Sequence, residues 1–172
     1  MNSSQILVEL LSHMEWADSV VWDTVVKFSK SGEDKKLKDI LVHYNTVQRL
    51  YLHVWKGQPF DRNNQPELSS LNLILQEFKT FFKRLDEFCS DIHKYDLDKI
   101  IVFPWSGRIE KILGTKPADA NLAEMILQVV VHSAHHRGQI NMRLREIGGE
   151  PETIDFIAWV WKGKPKAEWE HN

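Results

Sequence analysis

Apolar positions recur along this chain at spacings of three and four, the period of an amphipathic helix. A first helix is predicted over 3–30, on Ile6, Leu7, Leu10, Met14, Ala17, Val21, Val25 and Phe28, and is ended by Ser31-Gly32. A second is predicted over 37–55, stopping before Gly57-Gln58-Pro59. The polar stretch 59–67, with two Asn and two Pro, reads as a loop. A third helix is predicted over 68–93, on Leu71, Leu75, Phe78, Phe82, Leu85 and Phe88. The pattern then changes over 96–118. Ile100-Ile101-Val102-Phe103 before Pro104 suits a short extended piece or a helical turn, and Ser106-Gly107 and Gly114 punctuate the stretch. Asp119 or Asn121 is placed to cap a fourth helix running to 147, closed by Gly148-Gly149 and Pro151. A short fifth helix is predicted over 153–161, followed by a polar tail from Lys162. Four long amphipathic helices imply an all-α fold: a four-helix bundle with a long crossover between helices 3 and 4, plus a short C-terminal helix.

Size and composition narrow this picture. The chain has 172 residues, which predicts one domain over 1–172. A domain of this size buries about 70% of its unfolded surface, enough to need no covalent staple. The formal charge of −2 gives no reason to expect a nucleic-acid partner. No apolar run approaches the roughly 20 residues of a membrane helix, and the N-terminus does not read as a secretory signal. A cytoplasmic protein is the expectation. The single cysteine, Cys89, excludes an internal disulfide and a Cys-rich zinc site, and follows Phe88 as a buried structural thiol would.

Eight histidines stand out: 13, 43, 53, 93, 132, 135, 136 and 171. On the fourth helix, steps of about 100° per residue place the apolar stripe of Leu122, Ile126, Val129, Ile140, Leu144 and Ile147 near 85° from His132. His136 falls inside that stripe and His132 on its edge. His135 falls on the solvent side. His132 and His136 are thus an i, i+4 pair on one face, a spacing that lets two imidazoles meet one metal ion. On the second helix, a stripe through Ile40, Val47, Tyr51 and Val54 has His43 at its edge and His53 pointing away. On the first, His13 lies near the apolar edge. Periodicity leaves the third ligand open between His43 and His13. The glutamate of a His-Glu-x-x-His peptidase motif is absent, since Ser133, Ala134 and His135 fill the interval. There is no Gly-rich phosphate loop.

The run His132-Ser133-Ala134-His135-His136-Arg137-Gly138-Gln139-Ile140 resembles the fourth-helix signature of the DinB-like superfamily, His-x-x-x-His-Arg-Gly-Gln. Trp16-Ala17-Asp18 resembles that family's Trp-Ala-Asn. Leu41-Val42-His43 with Arg49-Leu50-Tyr51-Leu52, and Gly149-Glu150-Pro151 with Asp155, resemble its second helix and its chain after the fourth. The resemblance implies a homodimeric helical bundle holding a divalent metal, zinc or nickel, on three His. Carried onto this chain, the ligands are His43, His132 and His136; at the position of His13 the family often has Tyr. Relatives of known activity depend on a low-molecular-weight thiol, as bacillithiol S-transferases and a mycothiol-dependent isomerase do, and others are described as metal-dependent hydrolases. A three-His site leaves positions open for a water or thiol, whose pKa the metal lowers. The resemblance therefore implies a metal-dependent thiol transferase or hydrolase acting on a small electrophile. The alternative is a stress-related dimer that binds metal or ligand without turnover. Arg137 is expected to pair with a buried carboxylate such as Asp155, Gly138 to permit a close helix approach, and Trp105 and Trp16 to pack in the core or line a pocket.

Overall fold

A computed structural model describes residues 2–61, 66, 68–103 and 105–169. Most of the 59–67 loop, Pro104 and His171 lie outside those residues. Among them the chain is all-helical, with six α-helices and no strand. They are α1 (Ser3–Lys27), α2 (Lys35–Trp55), α3 (Leu71–Ser90), α4 (Ser106–Leu113), α5 (Leu122–Glu146) and α6 (Phe156–Trp161).

Each long helix starts at a polar side chain that satisfies an otherwise unpaired backbone N–H. Asn2 and Gln5 form a reciprocal capping box on α1, and Asn121 and Glu124 form another on α5. Asp34 and Ser70 accept from the third residues of α2 and α3. These caps explain the shifts from the predicted boundaries. The first helix stops at Lys27 and gives way to a 3-10 turn at Ser29–Gly32, while α2 begins two residues earlier than expected, after Asp34. At the far end of α5, Gly148 takes a φ of 96° and the Gly149 N–H reaches back 2.8 Å to the Leu144 carbonyl, which closes the helix as Gly148-Gly149 predicts.

Helix α5 packs on α2 and on α1, and α3 packs on the same two. Side-chain pairs fix the directions. Asp34 meets Arg143 near one end of α2, and His43 meets His136 further along, so α2 and α5 are antiparallel. Arg49 pairs with Glu77, His53 with Arg84 and Trp55 with Phe88, so α2 and α3 run the same way. The sequence reading did not anticipate that parallel pair. Between the helices sits an aromatic core in which Trp22, Tyr44, Phe78, Phe81, Phe82 and Phe88 are almost wholly buried. Phe78 meets both Trp22 and Tyr44 edge-on, which joins α1, α2 and α3 in one layer.

The long link between the third and fourth long helices is present, and it is more ordered than expected. Its ends are tied together: Ile101 N–H bonds the Ala120 carbonyl at 2.9 Å and Leu122 N–H the Lys99 carbonyl at 3.0 Å, around a single bridge between Ile100 and Asn121. Between them lies α4, two turns of helix ended by Gly114 at a φ of 70°. No residue of α4 is buried.

Candidate metal centre

The i, i+4 spacing on α5 brings the His132 and His136 rings to 4.3 Å between centroids, with their Nε2 atoms 3.1 Å apart. Packing of α2 against α5 adds His43, whose ring lies 4.9 Å from that of His136 and 5.8 Å from that of His132. One ligand atom from each of the three falls within 4.8 Å of the others. His136 is buried, His132 half-buried and His43 exposed, so the cluster opens to solvent on the α2 side.

The electrostatics suit a cation. Burial holds the His132 imidazole at a pKa of about 4, reinforced by His136 and His43. Burial also lowers that of His136. Both rings are neutral near pH 7, the state in which an imidazole offers a lone pair. The His136 Nδ1–H donates to the Gln139 Oε1 at 2.8 Å, which leaves its Nε2 lone pair facing His132. Gln139 in turn donates its Nε2–H to the Nε2 of His135 at 3.0 Å. The Nδ1 of His132 is buried without a hydrogen-bond partner. The facing Nε2 atoms of His132 and His136 at 3.1 Å, with a nitrogen of His43 within 4.8 Å, are a donor set that a divalent ion fits.

Behind the cluster lies a buried polar network that ties three helices together. The Tyr44 ring packs 5.8 Å from that of His136. Its hydroxyl donates to the Asp18 carboxylate at 2.7 Å, and Asp18 also accepts from Gln48 at 3.0 Å and Arg137 at 2.8 Å. Burial pushes the Asp18 carboxyl above its ordinary range against the pull of Arg137. Arg137 and Asp18 are 3% and 1% exposed. A buried ion pair persists only where every lone pair and proton is satisfied, which Tyr44 and Gln48 help to do here.

These contacts correct several sequence expectations. Arg137 pairs with Asp18, not Asp155. A Cβ placed on Gly138 would meet nothing within 4 Å, so that glycine does not serve a close helix approach. His13 lies away from the cluster, with its Nε2 3.0 Å from the Ile154 carbonyl and its ring among Trp16, Phe156 and Trp159. Trp16 packs with Ala17 and Trp159. Trp105 sits against Phe103 and Tyr51. His135 is exposed as expected. His53 does not simply face solvent, since its ring is held by the Pro59 carbonyl and Arg84. The inner face of α2 is also rotated from the predicted stripe. It runs through Leu37, Leu41, Tyr44, Asn45 and Gln48, while Ile40, Val47, Tyr51 and Val54 are half-buried. Cys89 is half-buried, and burial pushes its thiol up to about 12, which removes it from nucleophilic chemistry.

Two depressions lie beside α2 and α5, and the first touches the histidines. One, of about 410 Å³, is bounded by Lys36, Asp39, Ile40 and Met142 together with His43 and His136. The other, of about 480 Å³, lies between Tyr51, Gln128 and the crossover. No helix among the described residues is long and apolar enough to cross a membrane.

No curated protein matches the chain. A family model does, and over nearly the whole length, including α2 and α5 with their three histidines. That match runs over residues 1–168, and the chain belongs to the DinB family.

Proposed function

We propose that His43, His132 and His136 bind one divalent cation, zinc or nickel, and that the protein is a metal-dependent enzyme of the thiol-transferase or hydrolase type acting on a small electrophile. The four long helices are read as a four-helix bundle running up, down, down, up, and the working unit as a homodimer. The observation that carries the reading is the convergence of three imidazoles from two helices, with one ligand atom of each within 4.8 Å of the others. A divalent ion on three imidazoles keeps coordination positions open and lowers the pKa of a water or thiol bound there.

The chain's own residues set the stage for that chemistry. Gln139 fixes the tautomer of His136, and the Asp18–Tyr44–Arg137 network holds the helix faces that present the ligands. His43, on the exposed side, borders the groove through which a substrate reaches the cluster. Asp39 lines the same groove, paired with Lys35 at 2.6 Å. Among the described residues no carboxylate joins the three-histidine cluster. That feature favours thiol chemistry, in which the nucleophile needs no separate general base, over a hydrolase with a carboxylate base. It also supports the second reading, a dimeric bundle that binds metal or ligand without turnover.

Cobalt substitution separates the two. A visible spectrum that shifts on adding a cellular thiol, with matching loss of a small electrophile, supports the enzyme. A cobalt spectrum unmoved by every cellular thiol and by a panel of hydrolysable esters and amides supports the binding protein.

A further inference from the structure

The cavity of about 480 Å³ at the crossover end is lined by Tyr51 of α2 and by Met125 and Gln128 of α5, the two helices that carry the histidines. Gln128 precedes His132 by one turn of α5, about 6 Å along the axis, and Tyr51 follows His43 by two turns of α2, about 12 Å. A molecule with its reactive end at the histidines extends naturally between these two helices into that cavity. The volume is that of a small-ligand pocket, for which roughly 300–1,000 Å³ is typical.

The walls are apolar. Ile101, Phe103 and Met125 line the cavity beside Tyr51. Its edge carries Glu110, Asp119 and Glu124 against the one base Lys116. Three carboxylates and one ammonium around an apolar hollow give it a negative field, which repels anions and tolerates neutral or cationic molecules.

Over this cavity stands α4, whose composition calls for something to cover. Its Ile109 lines the cavity, while Ile112 and Leu113 are 68% and 59% exposed and no residue of the helix is buried. An eight-residue helix gains little from its own hydrogen bonds and depends on burying an apolar face. Of its apolar residues Ile109 lines the hollow, where a ligand-sized apolar occupant would cover it.

Resting on the metal-enzyme reading above, we infer that the substrate is an electrophile with an apolar body and no negative charge, neutral or cationic. Its body fills the crossover cavity under α4 and its reactive group lies at His43, His132 and His136.

Isothermal titration with three probes on one skeleton tests this. The probes are 2-naphthylmethanol, 2-naphthylmethylammonium and 2-naphthoate, titrated into full-length protein with and without zinc, with bound zinc counted in the same samples. The alcohol and the ammonium are expected to bind at least about tenfold more tightly than the carboxylate, a difference of about 1.4 kcal/mol. Ile109→Asp, at a half-buried position on a helix with no fully buried residue, is expected to weaken the alcohol about tenfold in protein that still melts cooperatively. Glu110→Lys is expected to narrow the ammonium–carboxylate gap at least about threefold. Naphthoate binding as well as the ammonium, or indifference of all probes to Ile109→Asp, overturns the inference. Zinc bound at one per chain with no probe taken up overturns the inference and leaves the metal site standing. Probes bound as expected on protein that refuses zinc support the cavity and overturn the metal site.

Discussion

The His136 Nδ1–H is donated to the Gln139 Oε1 at 2.8 Å, one turn further along α5, and this bond decides which nitrogen of His136 is free to bind. A hydrogen bond to an acceptor raises the basicity of a ligating imidazole and fixes its orientation. Its loss typically costs about 10–100-fold in metal affinity. Gln139→Leu is expected to weaken zinc binding by about that factor, read by competition with a chromogenic chelator. Gln139→Glu keeps an acceptor and is expected to bind at least as well as the native chain. Equal affinity of the Leu variant would show that His136 is oriented by packing alone.

His43 separates metal binding from folding. It is exposed, whereas His136 is buried, so His43→Ala is expected to change metal-free stability by less than about 0.5 kcal/mol. The same substitution removes one of three ligands, and zinc affinity is expected to fall at least about a hundredfold. Urea unfolding of the metal-free proteins and zinc competition on folded ones measure the two effects independently. A large loss of stability without a loss of affinity would make His43 structural.

The Asp18–Arg137 pair is the reverse case. Both are buried, and removing one partner of such a pair leaves an uncompensated charge, at a cost of about 3–5 kcal/mol. Asp18→Ala is expected to destabilise by that amount. The double change Asp18→Leu with Arg137→Met is expected to recover much of the loss, because well-packed apolar residues often replace a buried pair without penalty. Thermal melts of the two variants and the parent check this. Additive losses would show that each side chain acts through separate contacts.

Glu15 gives the fold a pH dependence remote from the histidines. Burial raises its pKa from 4.5 to about 7, opposed by the Trp169 indole N–H that donates to it at 3.1 Å, and Asp86 adds to the rise. A carboxyl whose folded pKa is raised favours the folded state most below its unfolded pKa, and that contribution is lost as pH climbs through the folded value. The Glu15 contribution is therefore expected to decline between about pH 4.5 and pH 7, by about 1–2 kcal/mol once solvent screening at a half-buried site is allowed for. It runs against an opposite slope from His132 and His136, whose pKa values burial lowers and which favour the fold as pH rises. Urea midpoints of the native chain and Glu15→Gln across that range isolate the Glu15 contribution. The native chain is expected to lose stability relative to the variant as pH rises, and a constant difference between them would contradict it.

How much of this was legible beforehand varies element by element. The α5 stripe is written in aliphatic residues, and the buried positions Leu122, Ile126, Val129, Ile140 and Leu144 fall where the period puts them. His136 inside the stripe and His135 outside it follow from the same arithmetic. On α2 the period misleads, because two of the innermost side chains, Asn45 and Gln48, are polar. A hydrophobic count scores such residues as surface. Gln48 is buried to satisfy Asp18, which is itself an acid that composition assigns to solvent. The parallel α2–α3 pair and the meeting of His43 with α5 are tertiary facts, and periodicity within one helix carries no sign of its neighbour. Family resemblance supplied the third histidine where periodicity left His43 and His13 open. Helix α4 is longer than the single turn expected there, and with no fully buried residue to set an apolar period, Gly114 is its clearest local mark.

The central claim is that His43, His132 and His136 hold one divalent ion. Metal content per chain, by inductively coupled plasma mass spectrometry, tests it most directly. The protein should be untagged and purified without nickel resin, with His136→Ala prepared in parallel. The account predicts about one zinc or nickel per native chain, as expected of a single three-histidine site, and none in the variant. A native chain that carries no metal and takes none up from added zinc would contradict it.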